Sequence, residues 1–410
     1  GADIIDGGTG TNTISVIGGS QDLSIYTISN ATTLAQNSLA TTLSIAQYDA
    51  FTVANNQAAL TFSNAGTVGA KLGFITYNLG NGTNTFTAQT GATAGTSVTG
   101  GTGTDTFNFT EANFQGVVST VVGGTGNDTL NITDDTALTV ANASTRVIGV
   151  ETITLGNTTT NVSWTQTGDV AAGGVTQFLD ATAMTTGTLV FDGAAQTTAA
   201  QQLFVVTKGG LGTASITGGS GTDSLTGGSG IDTITGGAGA DNLTGGTGAD
   251  LFTYSAITDG GAFVAGSRAP GDTITDFLSG TDTARTIGAF LTGNMVGTAQ
   301  NGVNAIAYGA GIDFDAAGTG DDNVFLVAAG ANTATIGDLT TLADLNTAIG
   351  TLANDDLLDE RLIAFNAGDG SFALYYFVSV TADAALAANE LTLLATGTTA
   401  TLVAGDFVFA

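Results

Sequence analysis

The chain has 410 residues, with 35 acidic against 6 basic side chains, a formal net charge of -29, and neither histidine nor cysteine. Those absences exclude a Ser-His-Asp triad, a Cys-His nucleophile, a His- or Cys-ligated zinc and any disulfide, and the charge repels a polyanionic partner such as nucleic acid. Of the acids 31 are Asp and 4 are Glu, while glycine fills 62 positions. Asp, Asn, Gly and Thr favour turns and strands over helix interiors, so the composition predicts an all-β chain with many tight turns. No apolar run reaches the roughly 20 residues that a membrane-spanning helix requires.

One nonapeptide, G-G-x-G-x-D-x-U-x with U a large apolar residue, recurs along the chain. At the start, GADIIDGGTGTNTIS (1–15) holds the second half of one copy, with Asp3, and then a copy with Asn12 in the Asp position. Gly1 falls inside a broken repeat, which implies further chain upstream. LGNGTNTFT (79–87), GGTGTDTFN (100–108) and GGTGNDTLN (123–131) follow at separations of 21 and 23 residues, with Asp105 and Asp128 as candidate metal ligands. Two nonapeptides make one solenoid turn of 18 residues, so these spacings fit one turn plus a short insertion and predict alternate rungs of a longer β-helix. Strand-like runs lie at TSVTG (96–100), VETITLG (150–156) and GTLVFDG (187–193), and Trp164 with the scattered Phe residues is expected in the core.

Residues 218–253 carry the pattern uninterrupted, as GGSGTDSLT, GGSGIDTIT, GGAGADNLT and GGTGADLFT. Paired glycines allow the positive φ values of a tight turn, and each GGxGxD segment then aims carbonyls and one carboxylate at a common point. The last residues of each unit form a short strand whose apolar member (Leu225, Ile234, Leu243, Phe252) faces inward. A period of 18 sets Asp223 against Asp241 and Asp232 against Asp250. With no thiolate or imidazole in the chain, the ligands are oxygens, and an oxygen-rich flexible turn suits calcium. Strands this short do not offset a backbone ordering entropy of about 1–2 kcal/mol per residue, so binding free energy is expected to become folding free energy.

Further on, Leu339, Leu342, Leu345, Ile349 and Leu352 recur at helical spacing, with Asp338 as N-cap and Gly350 as a break. DFDAAGTGDD (313–322) has Asp313, Asp315 and Gly318 at the first, third and sixth positions of an EF-hand-like loop, but Val324 stands where the bidentate Glu belongs. The end of the chain, SFALYYFVSV (371–380), ELTLLAT (390–396) and ATLVAGDFVFA (400–410), predicts a compact antiparallel module. The expected divisions are a solenoid-like region at 1–165, a β-rich connection at 166–217, the repeat roll at 218–285 and a C-terminal module at 286–410.

The nonapeptides resemble the RTX calcium-binding repeats of proteins exported by bacterial type I secretion. TYSAITDGG and APGDTITDFLSGTD (253–282) are similar to the stretch that follows the β-roll in serralysin-type RTX proteins, which implies that Asp272 and Asp276 close its last turn. GVETITL and QFLDATAMTTGTLVFDG (177–193) resemble stretches of large RTX-type surface-layer proteins of the Caulobacter type. Asp406 ahead of four apolar residues is similar to the uncleaved C-terminal signal of type I substrates. The resemblance implies a parallel β-roll with Ca2+ as cofactor, the type I secretion apparatus as a transient partner, and a place outside the cell.

The leading functional expectation is structural: a calcium-dependent protein, not an enzyme, that assembles with copies of itself into an S-layer or related lattice on the cell surface. A lipopolysaccharide receptor, reached through a region upstream of Gly1, goes with the surface-layer likeness. Two alternatives stay open. One is the RTX tail of a secreted protease or lipase whose catalytic domain lies upstream; within these 410 residues there is no G-x-S-x-G elbow and no HExxH. The other is an RTX adhesin or matrix filament.

Overall fold

The computed structural model describes residues 3–17, 19, 21–35, 41–50, 52–54, 60–64, 66–70, 76–88, 95–115, 119–133, 137–141, 143–156, 160–167, 176–197, 204–256, 259, 271–278, 281–286, 303–306, 312–313, 324–327, 342–349, 352–353, 360–378, 391–397, 402 and 407–409. The chain is all-β apart from short helices, and forms two compact units, Gly1–Gly187 and Thr188–Ala410.

Unit 1 is a parallel solenoid. One face is laid down by Leu60–Phe62, Thr76–Asn78, Ser97–Thr102, Thr120–Thr125 and Val147–Ile148, each paired in parallel with the next. A second face runs through Thr67–Gly69, Asn84–Thr87, Asp105–Thr110, Thr129–Thr133, Thr152–Leu155 and Gln177–Ala181. The strands are short because each nonapeptide spends its glycine half on a turn. Alternation then does the sorting: in Asp105–Thr110 every second residue is buried, which sends Phe107 and Phe109 inward. The interior is an aromatic row, Tyr48, Phe62, Tyr77, Phe86, Phe109, Phe114 and Trp164, with successive ring centroids 4.9–6.4 Å apart. The copies at 79–87, 100–108 and 123–131 therefore stack directly on one face, one solenoid turn apart, with the strands of the other face alternating between them; the insertions beyond 18 residues are taken up between strands.

Three short helices in this unit, Ile45–Ala50, Glu111–Gln115 and Ala143–Arg146, do not follow from the repeat. The first carries a signal legible in S-x-x-Q: the Ser44 N–H donates to Gln47 Oε1 at 2.8 Å while the Gln47 N–H donates to Ser44 Oγ at 3.3 Å, a capping box.

Unit 2 opens with the roll. Phe204–Lys208, Ser224–Gly228, Asn242–Gly246 and Asp272–Ile274 stack in parallel on one side. Leu189–Asp192, Ala214–Thr217, Thr233–Thr235, Leu251–Tyr254 and Thr283–Thr286 stack on the other. Leu225 lies in register with Leu243, and Ile234 with Phe252, and all four are fully buried, as the 18-residue period requires. Sequence reading missed one rung: GGLGTASIT (209–217) is a repeat with Ala214 in the Asp position, and its Ile216 is buried.

The C-terminal strands are antiparallel through Glu360–Asn366, Phe372–Val378 and Leu391–Gly397. Two parallel strands, Val303–Ile306 and Val324–Val327, extend that sheet. Leu391–Gly397 pairs directly with Asp272–Ile274, and Phe407–Phe409 pairs with Thr283–Thr286, so both sheets of the roll continue into C-terminal strands. The helix expected from 339 onward is seen over Leu342–Ile349, where Leu345, Ala348 and Ile349 belong to one buried apolar cluster with Phe365 and Phe377. The acidic loop at 314–322, the N-cap Asp338 and Asp406 lie outside the described residues.

Close stacking makes two glycines per turn obligatory. A Cβ on Gly248 (φ 149°) would lie 1.8 Å from the carbonyl oxygen of Gly230, one turn below, and a Cβ on Gly246 (φ 102°) would lie 1.7 Å from that of Gly228. Backbone cannot move aside as a flexible side chain would. Gly248→Ala is expected to cost about 3 kcal/mol or more in a denaturant melt. Gly69→Ala, at a position with nothing within 4 Å of its Cβ, is the control and should be near neutral.

Candidate calcium sites

The repeat acids gather into three columns. In unit 1, the Asn84 N–H donates to Asp105 Oδ1 (2.9 Å), the Asp105 N–H to Asp128 Oδ1 (2.8 Å) and the Asp128 N–H to Glu151 Oε2 (2.7 Å). In unit 2, one column runs Phe204, Asp223, Asp241, Asp272, with N–H to Oδ1 distances of 2.7, 2.8 and 2.9 Å. The other runs Ala214, Asp232, Asp250, Asp282, the last two links being 2.9 and 3.0 Å. Each carboxylate thus spends one oxygen holding the backbone of the turn before it. The eighteen-residue spacing from Asp223 to Asp241 and from Asp232 to Asp250 is the spacing of these links.

The other oxygen decides the chemistry. Asp105, Asp128, Asp223, Asp232, Asp241, Asp250 and Asp272 are all buried to 2% exposure or less. In six of them, all but Asp223, Oδ2 is buried and accepts no hydrogen bond. In the five that belong to a repeat, all but Asp272, that oxygen faces the first glycine of its own turn: a Cβ on Gly236 would lie 2.2 Å from Asp241 Oδ2, and one on Gly245 2.5 Å from Asp250 Oδ2. A buried carboxylate oxygen with no donor, among glycine carbonyls, is a donor set that fits a hard cation. Among the described residues no three acidic side chains converge on a point. An ion here would therefore be held by one or two carboxylates and by glycine carbonyl oxygens.

The columns end on acids outside the repeats. Asp272, 31 residues after Asp241, accepts its amide, and Asp282 does the same 32 residues after Asp250. Asp276 takes the Gly245 N–H at 2.9 Å on Oδ1 and the Gly246 N–H at 2.6 Å on Oδ2, so its carboxylate lies over the glycine pair of the turn that carries Asp250, while Asp272 closes the Asp241 column. Asp3 stands apart: it is exposed, and its carbonyl, not its carboxylate, accepts the Thr27 N–H. Sequence reading missed Glu151 and Asp282, although Glu151 follows Asp128 by the same 23 residues that separate Asp128 from Asp105. It also missed Lys208, a buried lysine whose Nζ donates to the Gly209 carbonyl at 2.7 Å and whose charge acts on Asp232.

Electrostatics follow from burial. Desolvation raises Asp105 and Asp232 above the usual carboxylate range, against the hydrogen bonds they accept. It pushes Asp128, Asp223 and Asp250 up to about 6. Burial, then the nearby charges of Asp223 and Asp259, push Asp241 up to about 8, and burial with the charges of Asp241 and Asp259 raises Asp272. Tyr254 is raised by burial and by the neighbouring charges of Asp272 and Asp241.

A raised folded-state pKa means that the metal-free fold holds protons the unfolded chain has released. This contribution is complete below the unfolded value and is lost as pH climbs through the folded one. Metal-stripped protein should therefore melt at higher temperature at about pH 4.5 than at about pH 7.5, and added calcium should restore the higher melting temperature at the neutral end. A melting temperature that is flat or rising over that interval without metal contradicts this account.

A family model described as the RTX calcium-binding nonapeptide repeat matches residues 1–15, 119–131 and 217–252, in 4 copies. No curated protein matches the chain. The matched segments include Asp128, Asp223, Asp232, Asp241 and Asp250, whose carboxylates form the centres of the three columns. The chain carries repeats of the RTX calcium-binding type, and the longest matched run, 217–252, forms part of its parallel roll.

Proposed function

We propose that this chain is an exported, extracellular protein that takes its rigid form from calcium and assembles with copies of itself into a surface layer or related lattice on the cell. The observation that carries the reading is the row of buried carboxylate oxygens without donors, present in both units. Extracellular calcium modules typically bind with dissociation constants of roughly 10⁻⁴–10⁻³ M. A chain of that affinity stays loose in a calcium-poor cytosol, can be threaded out by a type I apparatus, and sets where calcium is abundant.

Assembly is supported by what faces outward. Parallel stacking puts like residues in rows: Thr85, Thr106, Thr129 and Thr152 are successive register partners. Regular rows of this kind present the same surface along the solenoid, and a net charge of -29 makes divalent ions a natural bridge between neighbouring copies. A lipopolysaccharide receptor on the cell surface belongs to the same reading. The role is structural, and needs carboxylates and carbonyls only.

Chelation tests it. Calcium-grown assemblies exposed to excess EGTA should lose order in electron micrographs and release soluble chains, and calcium should rebuild them. Sheets that persist in the chelator contradict the lattice reading; filaments in place of sheets favour the matrix-filament alternative.

A further inference from the structure

The unit 1 column begins with a side chain that differs from its aspartates, Asp105 and Asp128, by one heavy atom. Asn84 occupies the Asp position of LGNGTNTFT and is buried to 1% exposure. Its Nδ2 donates to the carbonyl oxygens of Gly80 (2.7 Å), Gly82 (2.9 Å) and Gly100 (3.4 Å) and to Asp105 Oδ1 (2.7 Å). Its Oδ1 accepts the Gly66 N–H at 3.1 Å. The amide orientation is fixed by this network: turned over, Oδ1 would face four oxygens and Nδ2 would face a donor.

Next door, the same site is deficient. Asp105 and Asp128 use Oδ1 as Asn84 does, to accept the amide of the preceding turn, but their Oδ2 atoms are buried without a partner. Asn84 therefore supplies hydrogens, from its own side chain, where the acidic turns have an unpartnered oxygen. A similar but more exposed case lies at the start of the chain, where Asn12 Nδ2 donates to the carbonyls of Asn30 (2.7 Å) and Gly10 (3.3 Å).

We propose that the Asn84 side-chain amide takes the place of a metal ion in its turn, so that this rung closes without calcium, and that Asn84→Asp converts it into a further calcium site. The inference rests on the reading that the Asp-bearing turns bind calcium. Asn84 then marks where the metal-dependent column of unit 1 ends.

The test counts ions and follows Trp164, the one tryptophan of the chain, fully buried in unit 1. Calcium bound per full-length chain is measured by equilibrium dialysis, with and without Asn84→Asp. The expected result is a gain of one ion, together with a lower midpoint for Trp164 unfolding in metal-free buffer at neutral pH that calcium restores. Asn84→Ala should lower the midpoint and gain no ion. Should Asn84→Asp require calcium to fold at all, refolding on calcium addition with the extra ion gives the same answer. The reciprocal change, Asp128→Asn, should lose one ion and raise the metal-free midpoint above that of the unaltered chain. Unaltered protein that binds calcium, with Asn84→Asp binding no more, overturns this inference alone, as does an Asp128→Asn midpoint no better than that of Asp128→Ala. Unaltered protein that binds no calcium overturns the calcium reading and this inference with it.

Discussion

The fold turns on one oxygen per turn. Oδ1 of the repeat carboxylates is bonded to the backbone of the neighbouring rung, and that bond pulls the whole group out of water; Oδ2 goes with it and, everywhere but at Asp223, finds no donor. Leaving one buried polar group unsatisfied costs about 1–3 kcal/mol, more if it is charged. The described residues hold six such oxygens, whereas a whole domain is stable by about 5–15 kcal/mol. At neutral pH the solenoid without a counter-ion is consequently close to the edge of folding, and a proton or a cation at Oδ2 moves it back. This is the physical content of calling the repeats calcium-binding.

The glycines and the acids are one device. If the first glycine of a turn carried a Cβ, that atom would occupy the space of the turn's own Oδ2, as at Gly236 and Gly245; at the second and fourth it would strike the carbonyl of the turn below. The same positions that let rungs approach closely enough for the Asp amide to reach the next carboxylate also leave carbonyl oxygens pointing into the turn. Replacing a glycine therefore damages stacking and the ligand shell together. The cost of this arrangement is a thin core, which the chain answers with large side chains: Tyr77, Phe86, Phe109 and Trp164 in unit 1, Phe252 and Phe277 in unit 2.

How much of this was legible depended on whether the period held. Leu225, Ile234, Leu243 and Phe252, and the pairing of Asp223 with Asp241, follow from counting nonapeptides. Asp105 and Asp128 were within reach because 21 and 23 residues still approximate one turn. Glu151 and Asp282 are hidden because they stand outside any intact nonapeptide, and the Ala214 rung because it keeps its glycines but has lost the Asp. Pairing of the Asp272–Ile274 strand with Leu391–Gly397 was out of reach for a different reason. It joins segments more than a hundred residues apart, and no local pattern encodes such a contact. Asn84 was visible as a departure from the motif, but its meaning depends on which carbonyls surround its amide, and only three-dimensional structure brings Gly80, Gly82 and Gly100 together.

The columns also obey an asymmetry that explains where acids are dispensable. The first member of a column needs only its backbone N–H to engage the acid ahead of it, so Phe204 and Ala214 serve as well as an aspartate. The last member must be an acceptor, because without one the amide behind it would be buried with no partner. Hence Glu151, Asp272 and Asp282 stand at the far ends, supplied from outside the intact nonapeptides, 23, 31 and 32 residues after the acid they follow. Direction along the chain is thus built into the site: a solenoid of this kind can start on almost any residue in the Asp position, but it must stop on a carboxylate or another acceptor.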